Sequence, residues 1–286
     1  MKPYGLILAL VATLPAWAAG SPASWSSPTP PFKIADNLYY VGTEGISVFL
    51  ITTPKGHIVI DGAMPGSDKS IEASIKALGF KVSDVKILLN THAHFDHAAG
   101  LAGLKRDTGA RMIASAADRQ ALETGSYPGF EEIKALDFEP VKVDQVIKDG
   151  GTVSLGGMVL TAHLTPGHTA GCTTWTFPVK ADGKIRHALA YCSTSVALNR
   201  LVNSKRGPQY RGIFADYQAS FAKLKTMKAD IFLAPHNEQF GLDAKRAKLK
   251  VGGPNPFIDP AELARAVAAS EADFRSDLAK QQDAAK

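Results

Sequence analysis

A chain of 286 residues, 45% apolar and 21% charged, has the material for one large domain or two small ones, and its composition excludes a disordered chain or a coiled coil. The formal net charge of +5 comes from scattered basic residues. The one cluster, Lys245, Arg246, Lys248 and Lys250, has no interleaved aromatics and reads as a solvated face, which argues against nucleic acid as a partner.

In chain order, residues 1–18 have the pattern of a secretory signal peptide: a positive start at Met1-Lys2, an apolar stretch from Leu6 to Leu14, and the small-residue cleavage signal Ala16-Trp17-Ala18. That stretch is shorter than the ~20 residues of a membrane span. A soluble mature protein, exported to the periplasm and independent of the membrane, is expected, with residues 19–286 as a single domain. Residues 19–31, rich in Pro and Ser, read as an extended arm. Strands are expected at 37–41, 47–52 and 57–60, a helix over 68–78 with Ile71, Ile75 and Leu78 at helical spacing, and a buried strand at 85–89. A helix from about Ala98 to Thr108, a strand at 111–114 and a helix over 116–123 follow. The second half repeats the idea. Strands 152–155 and 158–162 flank Gly156-Gly157, and strands 173–178 and 187–191 flank Asp182-Gly183, each as a hairpin. With the second turn centred on Asp182, Cys172 and Cys192 face each other, either as a disulfide or as two small buried residues. A helix over 217–227, a strand at 231–234 and a charged helix from Pro260 complete the chain. Two β-rich halves, each carrying helices, predict an α/β sandwich of two sheets with helices outside.

The histidines carry the chemistry. His57, His163 and His187 fall inside strands and read as hydrogen-bonding partners. His92, His94, Asp96 and His97 instead crowd into six residues directly after a buried strand, where four ligand-type side chains are hard to desolvate without a metal. In an extended loop, residues two apart point the same way, so His92 and His94 face one ion while Asp96 and His97 turn to another. His168 leaves a strand through Pro166-Gly167, and His236 follows Pro235, which stops its strand. These six side chains suffice for two zinc ions with three protein ligands each, leaving a position open for water, as catalytic sites do.

The motif His92-x-His94-x-Asp96-His97, with Gly167-His168-Thr169 and Pro235-His236, resembles the metallo-β-lactamase superfamily. The likeness is strongest to the third subclass of zinc β-lactamases and extends to residues 39–43, 60–63 and 197–200. The resemblance implies a four-layer αβ/βα sandwich with the metal site at one edge of the two sheets. It assigns His92, His94 and His168 to the first zinc, and Asp96, His97 and His236 to the second. It further implies hydrolysis of the β-lactam amide bond of penicillins, cephalosporins and carbapenems by a metal-bound hydroxide directed by Asp96, in a monomer whose partner is that small molecule. Superfamily thioesterases, lactonases and nucleases place a metal-bridging Asp where this chain has Tyr191-Cys192-Ser193-Thr194, which counts against those activities. A Cys ligand, as in another lactamase subclass, leaves Cys192 as an alternative donor to the second zinc. Ser193, Thr194 and Ser195 are candidates for binding the substrate carboxylate, and hydroxyl-rich strand ends are also common without function. Asp61 is the candidate carboxylate for orienting the imidazoles, a turn cap being the alternative. The loop 125–130 is either a flap over the pocket or an ordinary surface loop.

Overall fold

A computed structural model describes residues 20–127, 129–202 and 207–285; the expected signal segment lies outside them. Seven strands form the first sheet in chain order: β1 (Phe32–Ala35), β2 (Leu38–Tyr40), β3 (Phe49–Thr53), β4 (Gly56–Ile60), β5 (Val85–Leu89), β6 (Arg111–Ser115) and β7 (Gln145–Ile147). Its pairs are antiparallel up to β3/β4 and parallel from β4/β5 onward, where α1 (Ser67–Ala77), α2 (Phe95–Ala98), α3 (Leu101–Thr108) and α4 (Ala116–Thr124) make the crossovers. The second sheet has β8 (Thr152–Leu155), β9 (Met158–Leu164), β10 (Thr173–Ala181), β11 (Lys184–Ala190) and β12 (Ile231–Leu233), hydrogen-bonded in the order β12-β11-β10-β9-β8. After β11 come α5 (Ile213–Thr226), α6 (Leu242–Val251) and α7 (Glu262–Ala284).

Strand periodicity sorts the core into two layers. Leu50, Val59, Leu88 and Met112 point outward, where Ile71 and Ile75 of α1, Leu101 and Leu104 of α3 and Leu122 of α4 cover them. Their neighbours Phe49, Ile58, Ile60, Ile87, Leu89 and Ile113 point inward onto Leu160, Trp175, Phe177 and Val179 of the second sheet, and Tyr217, Phe221 and Phe274 of α5 and α7 belong to the same core. Each such aliphatic side chain, fully buried, contributes about 1.5–3 kcal/mol. This is the expected αβ/βα sandwich.

Several expectations change in detail. The helix expected from Ala98 already begins at Phe95 and breaks at Ala99–Gly100, so Asp96 and His97 sit on a helical turn rather than in an extended loop. Edge strands β1 and β7 and helix α6 had no strong pattern, being short or, in α6, having only Leu242 buried. The arm is not free. Arg246 of α6 donates to Thr29 Oγ1 (2.6 Å) and to the Pro30 carbonyl (2.9 Å), and Pro28 bridges to Thr43. Lys245 of the same basic cluster pairs with Glu262.

The β10–β11 hairpin is one residue out of the expected register. Ala181 pairs with Lys184 around a two-residue turn, Asp182 (φ 49°) and Gly183 (φ 73°), whose left-handed backbone is the type that matches strand twist. The cysteines therefore sit just past the ladder, diagonally, and are joined as a disulfide with Cα atoms 5.8 Å apart. Cys192 is thereby removed as a metal donor. Replacing both cysteines by alanine is expected to lower stability by on the order of 3 kcal/mol, read as a lower urea midpoint, with reduced wild-type protein falling to the same value. An unchanged midpoint would show the link to be dispensable.

Candidate metal centre

Three strand ends meet at one edge of the sandwich. From β5 the chain runs extended through Asn90 to His94 (φ −87°, ψ 149°), which opens α2. From β9 it reaches His168, and from β12 it reaches His236, whose backbone bridges to Ile46. His92, His94 and His168 form one group, with donor atoms within 4.8 Å of one another and ring centroids 4.4–4.8 Å apart. Asp96, His97 and His236 form the second. His92 joins the two, its ring 4.3 Å from that of His97.

Hydrogen bonding fixes which ring atoms face inward. Thr91 Oγ1 gives its one proton to Asp61 Oδ2 (2.7 Å), so at 3.0 Å it accepts from His92 Nδ1. His92 Nε2 is left buried with no hydrogen-bond partner, its lone pair directed into the cluster. His168 Nδ1 likewise donates to the Ser195 carbonyl (2.8 Å), which frees its Nε2. In the second group, Asp96 Oδ2, His97 Nε2 and His236 Nε2 lie 3.2, 3.2 and 3.5 Å apart. Three donors on a tetrahedral ion at ~2.0–2.1 Å are held roughly 3.3 Å apart, so this triangle fits one.

The electrostatics agree. Burial, reinforced by neighbouring imidazoles, holds His92 and His94 well below the ordinary histidine range and brings His168 down to about 4 and His236 to about 3. Burial pushes Asp96 upward, but His97 and His236 overrule it and keep the carboxyl below the usual range. Burial disfavours charge on His97 as well, and the adjoining Asp96 overcomes that and raises it. His92, His94, His168 and His236 are thus held neutral and Asp96 anionic, the protonation states that metal ligands need, while Asp96 favours the charged form of His97, which gives up its proton when an ion binds.

Asp61 acts at one remove. Held at φ 67°, it accepts from the Thr91 backbone N–H (2.7 Å) and hydroxyl, and reaches the His92 ring through Thr91 and the His92 carbonyl through the Asn90 amide. The three hydroxyl residues separate. Ser193 Oγ lies 3.2 Å from Ser195 Oγ, which is itself 3.2 Å from His168 Nδ1. Thr194 is turned away, its hydroxyl engaged with Tyr191 and Ser270 of α7. In the loop 125–130, Tyr127 stacks on His94 with centroids 4.1 Å apart, so Tyr127 lines the cluster. His57, His163 and His187 lie outside both groups, as expected. Three supports escaped the sequence reading. Asn199 donates to the His168 carbonyl (2.9 Å); Asn237 fixes the turn after His236 by donating to the Thr43 and Glu44 carbonyls; and Trp25, from the arm, packs 4.9 Å from the His236 ring. Asn237 carried a local signal, its place directly after a candidate ligand, and Asn199 lies in the 197–200 stretch of the resemblance, though its role there was not read.

Buried His/Asp clusters at the strand ends of such a sandwich define a metal-dependent hydrolase class, and comparison with known proteins gives the family. Residues 41–179 match the model of the metallo-beta-lactamase superfamily. BJP-1, a subclass B3 metallo-beta-lactamase of Bradyrhizobium japonicum, is 50% identical, with 92% of this chain and 99% of that one covered at a TM-score of 0.89. The native FEZ-1 metallo-beta-lactamase from Legionella gormanii is 42% identical, with 90% and 98% covered at a TM-score of 0.86. A hydroxyacylglutathione hydrolase of Pseudomonas aeruginosa is 28% identical over 167 residues, 58% of this chain; the chain spans 52% of that relative's length. The chain belongs to the metallo-β-lactamase superfamily and is one of its hydrolases.

Asp61→Ala leaves the Thr91 N–H and hydroxyl buried without their acceptor. It is expected to cost about 2–4 kcal/mol of stability and to weaken metal retention, measured by denaturant titration and by metal content after dialysis. A variant as stable and as metal-rich as wild type would reduce Asp61 to a turn residue.

Proposed function

We propose that this chain is a dizinc β-lactamase that opens the β-lactam amide of penicillins, cephalosporins and carbapenems and so confers antibiotic resistance. The observation that carries the reading is a complete His/Asp donor set in two adjoining groups, within a chain 50% identical to a subclass B3 enzyme along 99% of that enzyme's length. His92, His94 and His168 would hold one zinc, and Asp96, His97 and His236 the other. Zinc bound there supplies a Lewis acid and brings the pKa of a coordinated water from 15.7 toward about 7. Asp96 accepts a hydrogen bond from the attacking water and sets its direction, while Thr91 and the Ser195 carbonyl keep His92 and His168 in the tautomers that present Nε2. The paired hydroxyls of Ser193 and Ser195 would receive the substrate carboxylate at the rim beside His168. Tyr127, buried against His94, keeps bulk water from that side.

The hydroxyacylglutathione hydrolase relative raises thioester hydrolysis as a second reading. Against it stands the segment Tyr191–Thr194, which offers no carboxylate where the resemblance expects one and whose Cys192 sulfur is closed in a disulfide. We also propose export to the periplasm with residues 1–18 removed, in keeping with that disulfide, which persists in oxidising compartments. No helix among the described residues is long and apolar enough to cross a membrane.

Purified protein is expected to hydrolyse a carbapenem rapidly, to lose that rate on treatment with a chelator, and to regain it with zinc, while a hydroxyacylglutathione thioester is turned over slowly or not at all. The opposite preference would move the assignment to the thioesterase. Asp96→Ala is expected to lose metal and rate together, by more than the ~10–100-fold typical of an outer partner's removal. Full zinc content with near wild-type turnover would remove Asp96 from the mechanism.

A further inference from the structure

We infer that Asp118, in α4, is the positioning residue for the His92, His94 and His168 group: one carboxylate grips both of the loops that carry it. The inference rests on the metal-site reading above. Ser115-Ala116-Ala117-Asp118 has the spacing of a helix capping box, and half of the box forms, with Ser115 Oγ accepting from the Asp118 N–H at 3.3 Å. The acid half does something else. Asp118 Oδ2 accepts from the Ala93 N–H (3.0 Å) and the Thr169 hydroxyl (3.0 Å), and Oδ1 accepts from the Gly171 N–H (3.0 Å).

The identity of those donors gives the function. Ala93 lies between His92 and His94, and Thr169 directly follows His168. The first loop leaves β5 of one sheet and the second leaves β9 of the other, so Asp118 spans the sandwich where the three imidazoles must converge. It is 2% exposed, and the groups that meet it are two backbone N–H donors and a hydroxyl rather than a cation. The fit is close enough to dictate sequence. A Cβ on Gly171 would lie 2.2 Å from Ser115 Oγ and 2.5 Å from Asp118 Cγ, so the loop reaches the carboxylate only with glycine there. Another link between the loops, Thr173 N–H to the Thr91 carbonyl at 2.8 Å, lies on the strand side of the cluster. Asp118 closes the side nearer His94 and His168.

The test is zinc affinity, measured by competition with a chromophoric chelator on the full-length mature protein. Asp118→Asn keeps the side chain's size but turns one end from acceptor into donor, opposing the N–H groups that meet it. In a His236→Ala background, where the His92, His94 and His168 group stands alone, Asp118→Asn is expected to weaken zinc binding ~10–100-fold. In a His168→Ala background, where the second group stands alone, it is expected to leave affinity unchanged. Equal weakening in both backgrounds would mean general loosening of the fold and would overturn the inference, as would no weakening in either. Thr169→Val, which deletes one of the three hydrogen bonds and no charge, supplies the same comparison if Asp118→Asn does not fold. Its expected result is a smaller loss confined to the first group, and an equal or absent loss overturns the inference in the same way. A His236→Ala protein that binds no zinc before Asp118 is touched fails the metal-site reading itself.

Discussion

Everything at this edge of the sandwich depends on removing imidazoles and a carboxylate from water. A buried polar atom must find a partner or carry the cost of going without. At His92 and His168 the partners are arranged so that one ring nitrogen is satisfied and the other is left facing the cluster. Asp61 takes the Thr91 proton, Thr91 takes that of His92, and the Ser195 carbonyl takes that of His168. What remains is a cluster of lone pairs with one anion, Asp96, among them. Such a cluster is poorly stable alone and well matched to divalent cations.

The fold supplies the geometry this requires. The inward face of the first sheet packs on the second through Ile58, Ile60, Leu89, Trp175 and Phe177, which brings the ends of β5, β9 and β12 to one edge. The donors thus sit in short segments tied to the ends of paired strands rather than in free loops. Where the chain must turn sharply beside them, left-handed backbone appears at Asp61 and Ala63, residues without glycine's freedom, and the surrounding hydrogen bonds hold it there.

Local chemistry was legible in the sequence, and long-range registration was not. The six donors announce themselves by residue type and by their place after apolar runs, and the structure gathers them into two groups as the motif implied. The apolar runs of β3, β4 and β5 mark them as strands, and the two-residue period of a strand then separates the two core layers. Lost were features with no local pattern: the three-residue edge strand β7, the exposed helix α6, and the one-residue offset of the β10–β11 hairpin, set by the turn type and not by the strands. Trp25 was equally invisible, because it acts on a histidine distant in sequence. Thr194 looked like its neighbours Ser193 and Ser195, but it faces α7 because successive residues of an extended segment point to opposite sides.

The parallel pairing of β11 with β12 has a consequence for the order of folding. The intervening segment contains α5, so β12 reaches β11 only across a long connection, and contacts of such sequence separation form more slowly than hairpins. His236 travels with β12. The β8–β9–β10 hairpins and the first sheet can form while the second donor group still lacks its last member. An ion held at that group would therefore tie the end of β12 to α2, joining the last-paired strand of the second sheet to the first half of the chain.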